Sequence, residues 1–216
     1  MKTIFSGFAV LAGLFVFGSA AHATSFTFNC DQSGSCSGAN NFGSISLTQN
    51  GSNVDVLVTI TAGYFVTTGN HHAFSFNITG APAITVLNLS PANTFVVGGA
   101  GSNPPFGSFN YTIDCTICQG GQAPGGGTSL SFTVSKTGGG TLLVSDFATN
   151  GAGGFSFASD ICITGLPAGA ACTGAVGSNG DPSKNPAPTT PEPTSAVLLL
   201  SGLAGLIVLK RKFVTA

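Results

Sequence analysis

Charged residues, tryptophan and methionine are scarce in this 216-residue chain, which contains no tryptophan and one methionine. Charged residues make up 6% of the sequence, against roughly 25% in ordinary soluble domains. A protein that binds nucleic acid needs a stripe of basic residues to neutralise phosphates, and the chain has no such stripe, so this class of partner is excluded. Solubility must come from uncharged polar residues, a composition common in exported surface proteins.

Histidine is rare too, and this limits the enzyme classes to which the chain could belong. After the N-terminal segment, only His71 and His72 could act as the base of a serine triad, and the Gly-x-Ser-x-Gly turn of serine hydrolases is missing. Adjacent residues of a strand point to opposite faces, so these two histidines cannot bind one metal ion. The loop 31–35 has too few carboxylates for a calcium site.

Glycoside hydrolysis needs two facing carboxylates, and the sequence identifies no such pair among its scattered aspartates. The candidates are Asp55, Asp114, Asp146 and Asp160. We therefore predict a protein that is not an enzyme and that holds no cofactor and no metal ion. A secreted hydrolase stays as the least favoured hypothesis.

The lack of tryptophan also weakens the case for carbohydrate binding. Sugar-binding platforms usually use Trp or Tyr, and the chain offers only Tyr64 and Tyr111. Its 18 phenylalanines recur at alternate positions, as in Phe74 and Phe76, a pattern typical of core packing. A lectin-like, carbohydrate-binding surface module is kept as the alternative function.

The N-terminus has the three parts of a secretory signal peptide. A lysine at position 2 precedes an apolar stretch over 4–17, and Ala21 and Ala23 place small residues at the positions that signal peptidase reads. We predict a signal peptide over 1–23 with cleavage after Ala23. The mature protein is then expected to begin near Thr24 and to lie outside the cytoplasm.

Six cysteines follow the predicted signal peptide, and an even number in an exported chain indicates disulfide bonds. They are Cys30, Cys36, Cys115, Cys118, Cys162 and Cys172. Their order suggests the local pairs 30–36, 115–118 and 162–172, although connectivity stays open at this point. Cys115 and Cys118 also have redox CxxC spacing, but no helix follows to lower a thiol pKa. Zinc is disfavoured because no second ligand pair has matching spacing.

Alternation of apolar and polar residues runs through the body of the chain, whereas helical spacing of apolar residues is missing there. The strands predicted from it cover 25–28, 45–49, 54–60, 73–78, 84–89, 94–97, 106–113, 129–135, 141–147 and 155–163. Asn50 and Gly51 favour a tight turn, so the second and third of these strands are expected to form a hairpin. We predict an all-β domain over 24–173, an antiparallel β-sandwich of jelly-roll or immunoglobulin-like topology.

The C-terminal part differs in composition from the body. Residues 174–190 are polar, Pro-rich and aperiodic, which predicts a linker. After Pro191-Glu192-Pro193 an apolar run covers 195–209, and Lys210-Arg211-Lys212 follow at once. A helix there spans roughly 22 Å at about 1.5 Å per residue, short of a hydrocarbon core of about 30 Å, but basic side chains can reach the interface. We predict a transmembrane helix with a cytoplasmic C-terminus.

These features, in this order over 191–216, resemble the PEP-CTERM sorting signal of exported proteins of Gram-negative bacteria. The resemblance implies that the tail is recognised by exosortase, a membrane cysteine transpeptidase, and is removed near Pro191-Glu192-Pro193. The body resembles one group of such proteins at 71–77, 104–109 and 157–161. This second resemblance implies an exported β-rich domain and carries no activity.

The sequence as a whole predicts an exported, non-enzymatic protein of the cell surface or the exopolysaccharide matrix. Signal peptidase and exosortase are the expected processing partners, and exopolysaccharide is the expected partner of the mature domain. The tail is expected to hold the chain in the inner membrane only until it is processed.

Overall fold

A computed structural model of the protein describes residues 23–61, 63–121, 125–147, 153–163, 172 and 174–180. These residues contain thirteen β-strands and no α-helix. The strands are β1 (Ala23–Thr27), β2 (Gly43–Asn50), β3 (Asn53–Ile60), β4 (Gly63–Phe65), β5 (Phe74–Phe76), β6 (Ile84–Ser90), β7 (Phe95–Val97), β8 (Gly101–Ser102), β9 (Ser108–Phe109), β10 (Tyr111–Cys115), β11 (Ser129–Lys136), β12 (Phe157–Ile163) and β13 (Gly174–Ser178).

The strands form two main antiparallel sheets. The first has the order β1-β2-β3-β11-β6, and the second has the order β13-β12-β5-β10-β7, with β4 also paired to β12. Buried side chains of both sheets share one hydrophobic core, where the ring centre of Phe132 lies 6.0 Å from that of Phe74 and 5.8 Å from that of Phe76. The expected all-β class with antiparallel sheets is therefore confirmed, and the arrangement is consistent with a β-sandwich.

Strand β3 illustrates why alternating sequences form this core. Its alternate residues Val54, Val56, Val58 and Ile60 are buried, whereas the residues between them are half-buried or exposed. The turn before β3 closes the expected hairpin. Asn50 at the end of β2 pairs with Asn53 at the start of β3, and Gly51 between them adopts a φ of 59°. Glycine adopts such a φ without steric cost, so local chemistry sets the register of β2 against β3.

The segment between β7 and β10 crosses the outer face of the second sheet. It carries the short β8–β9 hairpin, and its buried residues Phe106 and Phe109 pack against Ala158 and Ala175. The neighbours of these two alanines in β12 and β13 instead face the main core. Strand β13 is consequently covered on both faces, and all five of its residues are buried.

The predicted boundary between domain and linker is wrong. The predicted linker 174–190 begins with Gly174–Ser178, which forms β13 and pairs with β12 over five residues. Because both faces of β13 are buried, its small residues show no alternation of apolar and polar side chains, and the sequence pattern missed the strand.

The strand predicted over 141–147 does not form. Val144–Asp146 form a 3-10 turn there. The Asp146 carboxylate accepts a hydrogen bond from the Leu143 amide at 3.0 Å and lies 3.3 Å from Lys136 Nζ. Such local bonds from an aspartate to the backbone compete with strand pairing.

The described part of the chain contains no apolar helix of membrane-spanning length. The predicted transmembrane helix 195–209 lies outside the described residues. The same holds for the predicted signal peptide 1–23, except for Ala23, which begins β1.

We expect Gly177→Ala to destabilise the fold. A Cβ atom at this position would lie 2.5 Å from Cδ1 of the buried Phe106 ring. Because overpacking a core shifts side chains or backbone, the free energy of unfolding should fall by about 1–3 kcal/mol. Gly99→Ala is the matched control, since a Cβ there meets no atom within 4 Å. Denaturant unfolding measures both variants, and equal stabilities would contradict the packing described for Phe106.

Candidate functional site

The processing site predicted from the sequence lies in the tail. Its residues Pro191, Glu192 and Pro193 and the basic cluster Lys210-Arg211-Lys212 lie outside the described residues. Ala21 does as well, whereas Ala23 is the first residue of β1 and pairs with Thr48. The candidate site inside the domain consists of other residues.

All six cysteines are joined in disulfide bonds, so the expected disulfide bonding is confirmed. The bonds join Cys30 to Cys36, Cys115 to Cys118 and Cys162 to Cys172. Cys115 and Cys118 are buried, and Cys115 ends strand β10. Reactive cysteines are partly exposed in electropositive surroundings, so these properties favour a structural role for this pair over a redox role.

Sequence reasoning missed the two histidine–aspartate pairs that form beside strand β12. Strands β4 and β5 pair with the same side of β12, one after the other, and residues 66–73 connect them. A turn closed by the His71 amide and the Thr68 carbonyl, 2.8 Å apart, leads into His72. The two histidines then contact different aspartates, Asp160 and Asp114.

The imidazole of His72 is held from several directions. Its Nδ1 lies 2.7 Å from Oδ1 of Asp114. The backbone amide of His72 donates to the side chain of the buried Asn103, whose Nδ2 donates to the His72 carbonyl at 3.1 Å. A Cβ atom at Gly101 would lie 2.1 Å from Nε2, so the ring rests against backbone there. A carboxylate on one ring nitrogen orients a histidine base, but the other nitrogen here faces Gly101.

The second pair has a buried carboxyl group. Asp160 has no exposed surface, its Oδ2 accepts a hydrogen bond from the Thr68 hydroxyl, and His71 Nδ1 lies 3.8 Å from the same oxygen. Among the described residues, Asp160 Oδ1 has no hydrogen-bond partner of ordinary geometry. Burial raises the pKa of Asp160 to about 7, against the opposing effect of the Thr68 hydroxyl and of the nearby amides of Gly174 and Thr68.

Together the pairs attach segment 66–73 to the sheet. The Asp160 amide donates to the His72 carbonyl at 3.0 Å, and the Asp160 carbonyl accepts from Val66 at 3.0 Å. The described residues contain no group of three or more His, Cys, Asp or Glu side chains that could hold a metal ion. The geometry therefore supplies a buried proton-binding group in β12, Asp160, and a fixed imidazole in segment 66–73, that of His72.

A polar hollow of about 470 Å³ lies elsewhere, between β1, the 30–36 disulfide loop and the end of β13. Asparagine amides line much of it, and Asn29 Nδ2 donates to Asn179 Oδ1 at 3.3 Å. The hollow offers uncharged donors and acceptors to a neutral ligand.

Comparison of the chain with protein-family models, curated proteins and solved structures gave no match in any of the three.

Replacing Asp160 by asparagine should remove a pH dependence of folding stability. The pKa of Asp160 is about 7 in the folded protein and roughly 4 in an unfolded chain, so the folded state binds the proton more tightly. This contribution to stability is complete below about pH 4 and is lost as the pH rises to about 7. Between about pH 5 and 7 the melting temperature should fall for the native protein, and Asp160→Asn should lack that fall.

Two comparisons isolate this effect. The first comparison is with His71, whose pKa is lowered by burial and, to a smaller extent, by the neighbouring His72. The contribution of His71 to folding stability is therefore lost as the pH falls, which is the opposite of the slope expected from Asp160. This contribution remains in Asp160→Asn. The Ser33 hydroxyl that donates to Asp31 holds the pKa of that carboxyl below its usual range. Asp31→Asn should therefore keep the native slope between about pH 5 and 7. A native slope in Asp160→Asn would contradict the assignment.

Proposed function

We propose that the protein is an exported, non-enzymatic component of the cell surface or exopolysaccharide matrix whose C-terminal tail is a sorting signal. The observation that carries this proposal is the order of features over 191–216: Pro191-Glu192-Pro193, then the apolar run 195–209, then Lys210-Arg211-Lys212 at the end. Each feature is common by itself. Their succession in this order, together with the signal peptide predicted over 1–23, resembles the sorting signal of exosortase substrates.

The oxidised cysteines support export. All six are paired, in three disulfide bonds, and structural disulfides persist mainly in oxidising compartments outside the cytoplasm. In this proposal the described domain is a β-sandwich carried across the membrane between a cleaved signal peptide and a temporary membrane helix.

The two halves of the tail have different roles in the proposal. The apolar run and the basic residues hold the chain in the inner membrane with the C-terminus in the cytoplasm. Pro191 and Pro193 fix φ and remove two amide donors, which keeps the backbone extended. Glu192 is thereby presented to the processing enzyme just outside the membrane.

The first expected result is that the form released to the cell surface lacks Lys210-Arg211-Lys212. Removal of the tail near Pro191-Glu192-Pro193 takes the apolar run and the basic cluster with it. Intact-mass measurement on surface material from the native host checks this directly. A released form whose mass includes the residues beyond Ser195 would mean that the tail is a plain anchor.

The second expected result concerns recognition of Glu192. In Glu192→Ala both prolines and the membrane helix are kept, so the chain should reach the inner membrane and accumulate there uncut. Replacing Lys210, Arg211 and Lys212 together by alanine removes the charges that set orientation, and this chain should pass through the membrane unprocessed. Cell fractionation with a tag between 181 and 190 separates the outcomes. Normal release of Glu192→Ala would reduce the Pro-Glu-Pro segment to a spacer.

A further inference from the structure

The outer face of the first sheet carries a regular array of hydroxyl groups. Side chains that point away from the core on neighbouring strands fall into register, so serine and threonine form rows across the sheet. One row runs through Ser25, Ser46, Leu57, Ser131 and Ser90, and the next runs through Thr48, Asp55, Thr133 and Leu87. Neighbouring members of a row are separated by the strand spacing of about 4.8 Å.

A shallow trough of about 360 Å³ lies in the middle of this face. A chain of hydrogen bonds forms its floor: Asn50 Nδ2 donates to Asp55 Oδ2 at 2.9 Å, Thr133 Oγ1 donates to Asp55 Oδ1 at 2.7 Å, and Asn88 Nδ2 donates to Thr133 Oγ1 at 3.4 Å. The polar groups of the trough are consequently fixed in direction before any ligand arrives, which lowers the entropic cost of binding.

Asn88 reaches the trough because β6 is irregular at that point. The register of β6 against β11 shifts there, and Asn88 adopts a φ of 55°. Bulges in edge strands redirect side chains, and a non-glycine residue in the left-handed region is uncommon. The bulge therefore closes one end of the trough with an amide.

The charge of this face limits the class of partner. The five strands of the first sheet contain two charged side chains, Asp55 and Lys136. Asp55 is bonded as described above, and Lys136 Nζ donates to the Thr141 carbonyl at 2.8 Å and lies 3.3 Å from Asp146. Anionic polymers find no row of cations on these strands, whereas a neutral, hydroxyl-rich ligand meets matching donors and acceptors.

Two exposed leucines complete the surface. Leu57, 46% exposed, lies between Ser46 and Ser131 in one row, and Leu87, 44% exposed, follows Thr133 in the next. Sugar rings combine hydroxyl edges with apolar C–H faces. A surface that alternates hydroxyls with apolar side chains can therefore hydrogen-bond the edges and pack against the faces. The length of the rows, which cross four or five strands, favours a polymer over a single sugar.

We propose that the outer face of the first sheet binds a neutral polysaccharide chain, laid across the strands through the trough between Ser46, Asp55, Asn88 and Ser131. This inference rests on the proposed export of the protein to a matrix, and it names the partner and the surface that contacts it.

The test is affinity gel electrophoresis of the full-length protein extracted in mild detergent. The gels contain hydroxyethyl cellulose, dextran or the neutral polysaccharide fraction of the host's extracellular matrix, and an alginate gel provides the anionic comparison. We expect at least one neutral polymer to retard the native protein and alginate not to. Because the unprocessed chain is used, the result does not depend on whether the tail is a sorting signal.

Leu57→Glu and Leu143→Glu form a matched pair, since the two leucines are 46% and 47% exposed and Leu143 precedes the 3-10 turn away from the trough. A carboxylate in the trough must lose water against a neutral ligand, so Leu57→Glu should raise the dissociation constant by at least about tenfold. Leu143→Glu should bind like the native protein. Thermal melts confirm that both variants are folded.

With these proteins, any of three outcomes would overturn the inference: no retardation of the native protein by any neutral polymer, equal retardation by alginate, or native affinity in a folded Leu57→Glu variant. As a second probe, the double variant Ser46→Ala with Ser131→Ala removes two hydroxyls without adding charge or bulk. It should weaken retardation in the same gels, and native affinity would equally overturn the inference. A protein that binds no neutral polymer but whose tail is removed normally would overturn this inference and leave the proposed sorting function intact.

Discussion

Strand β12 pairs with three other strands, and the second sheet depends on that pairing. Its first residues pair with β5, its last residues pair with β4, and its other edge pairs with β13. Because β4 and β5 share one edge of β12, residues 66–73 between them must leave the sheet and return. The two histidines lie on this excursion, and the backbone and side chain of Asp160 in β12 hold it in place.

Aromatic packing is prominent in the core of this charge-poor domain. The Phe157 ring lies 5.8 Å from Phe74 and 4.9 Å from Phe26, so residues of both sheets meet at one aromatic cluster. Such contacts add to the hydrophobic gain from burial. With most apolar side chains turned inward, many of the alternate positions of the first sheet carry serine or threonine. The same alternation that builds the core thereby builds the hydroxyl rows on the outer face.

Local patterns predicted those elements whose two faces differ. Strand β3 alternates because one face is buried, and the turn after Asn50 needs only local conformational preference, so both could be predicted from the sequence. Strand β13 is buried on both faces and consists of small residues, and the 3-10 turn at Val144–Asp146 replaces a predicted strand through a side-chain contact. Strand β4 has three residues, too few for alternation to show. The sequence pattern missed these elements for a common reason. Their conformation depends on neighbours that are distant in sequence or on a single contact, and neither produces a repeating pattern along the chain.

The sequence by itself determined the all-β class and the hairpin that sets the first register, because alternation and turn preference act over a few residues. The proposed tail processing also depends on sequence alone, through the order of short segments over 191–216, whereas the disulfide bonds of the structure add support for export. Only the tertiary structure decided that His72 meets Asp114, 42 residues away, and that Asp160 is buried beside His71. It likewise decided that Ser46, Leu57 and Ser131 form one row. Outside the β2–β3 hairpin, strand order and register bring these residues together, and neither is encoded in any local pattern of the chain.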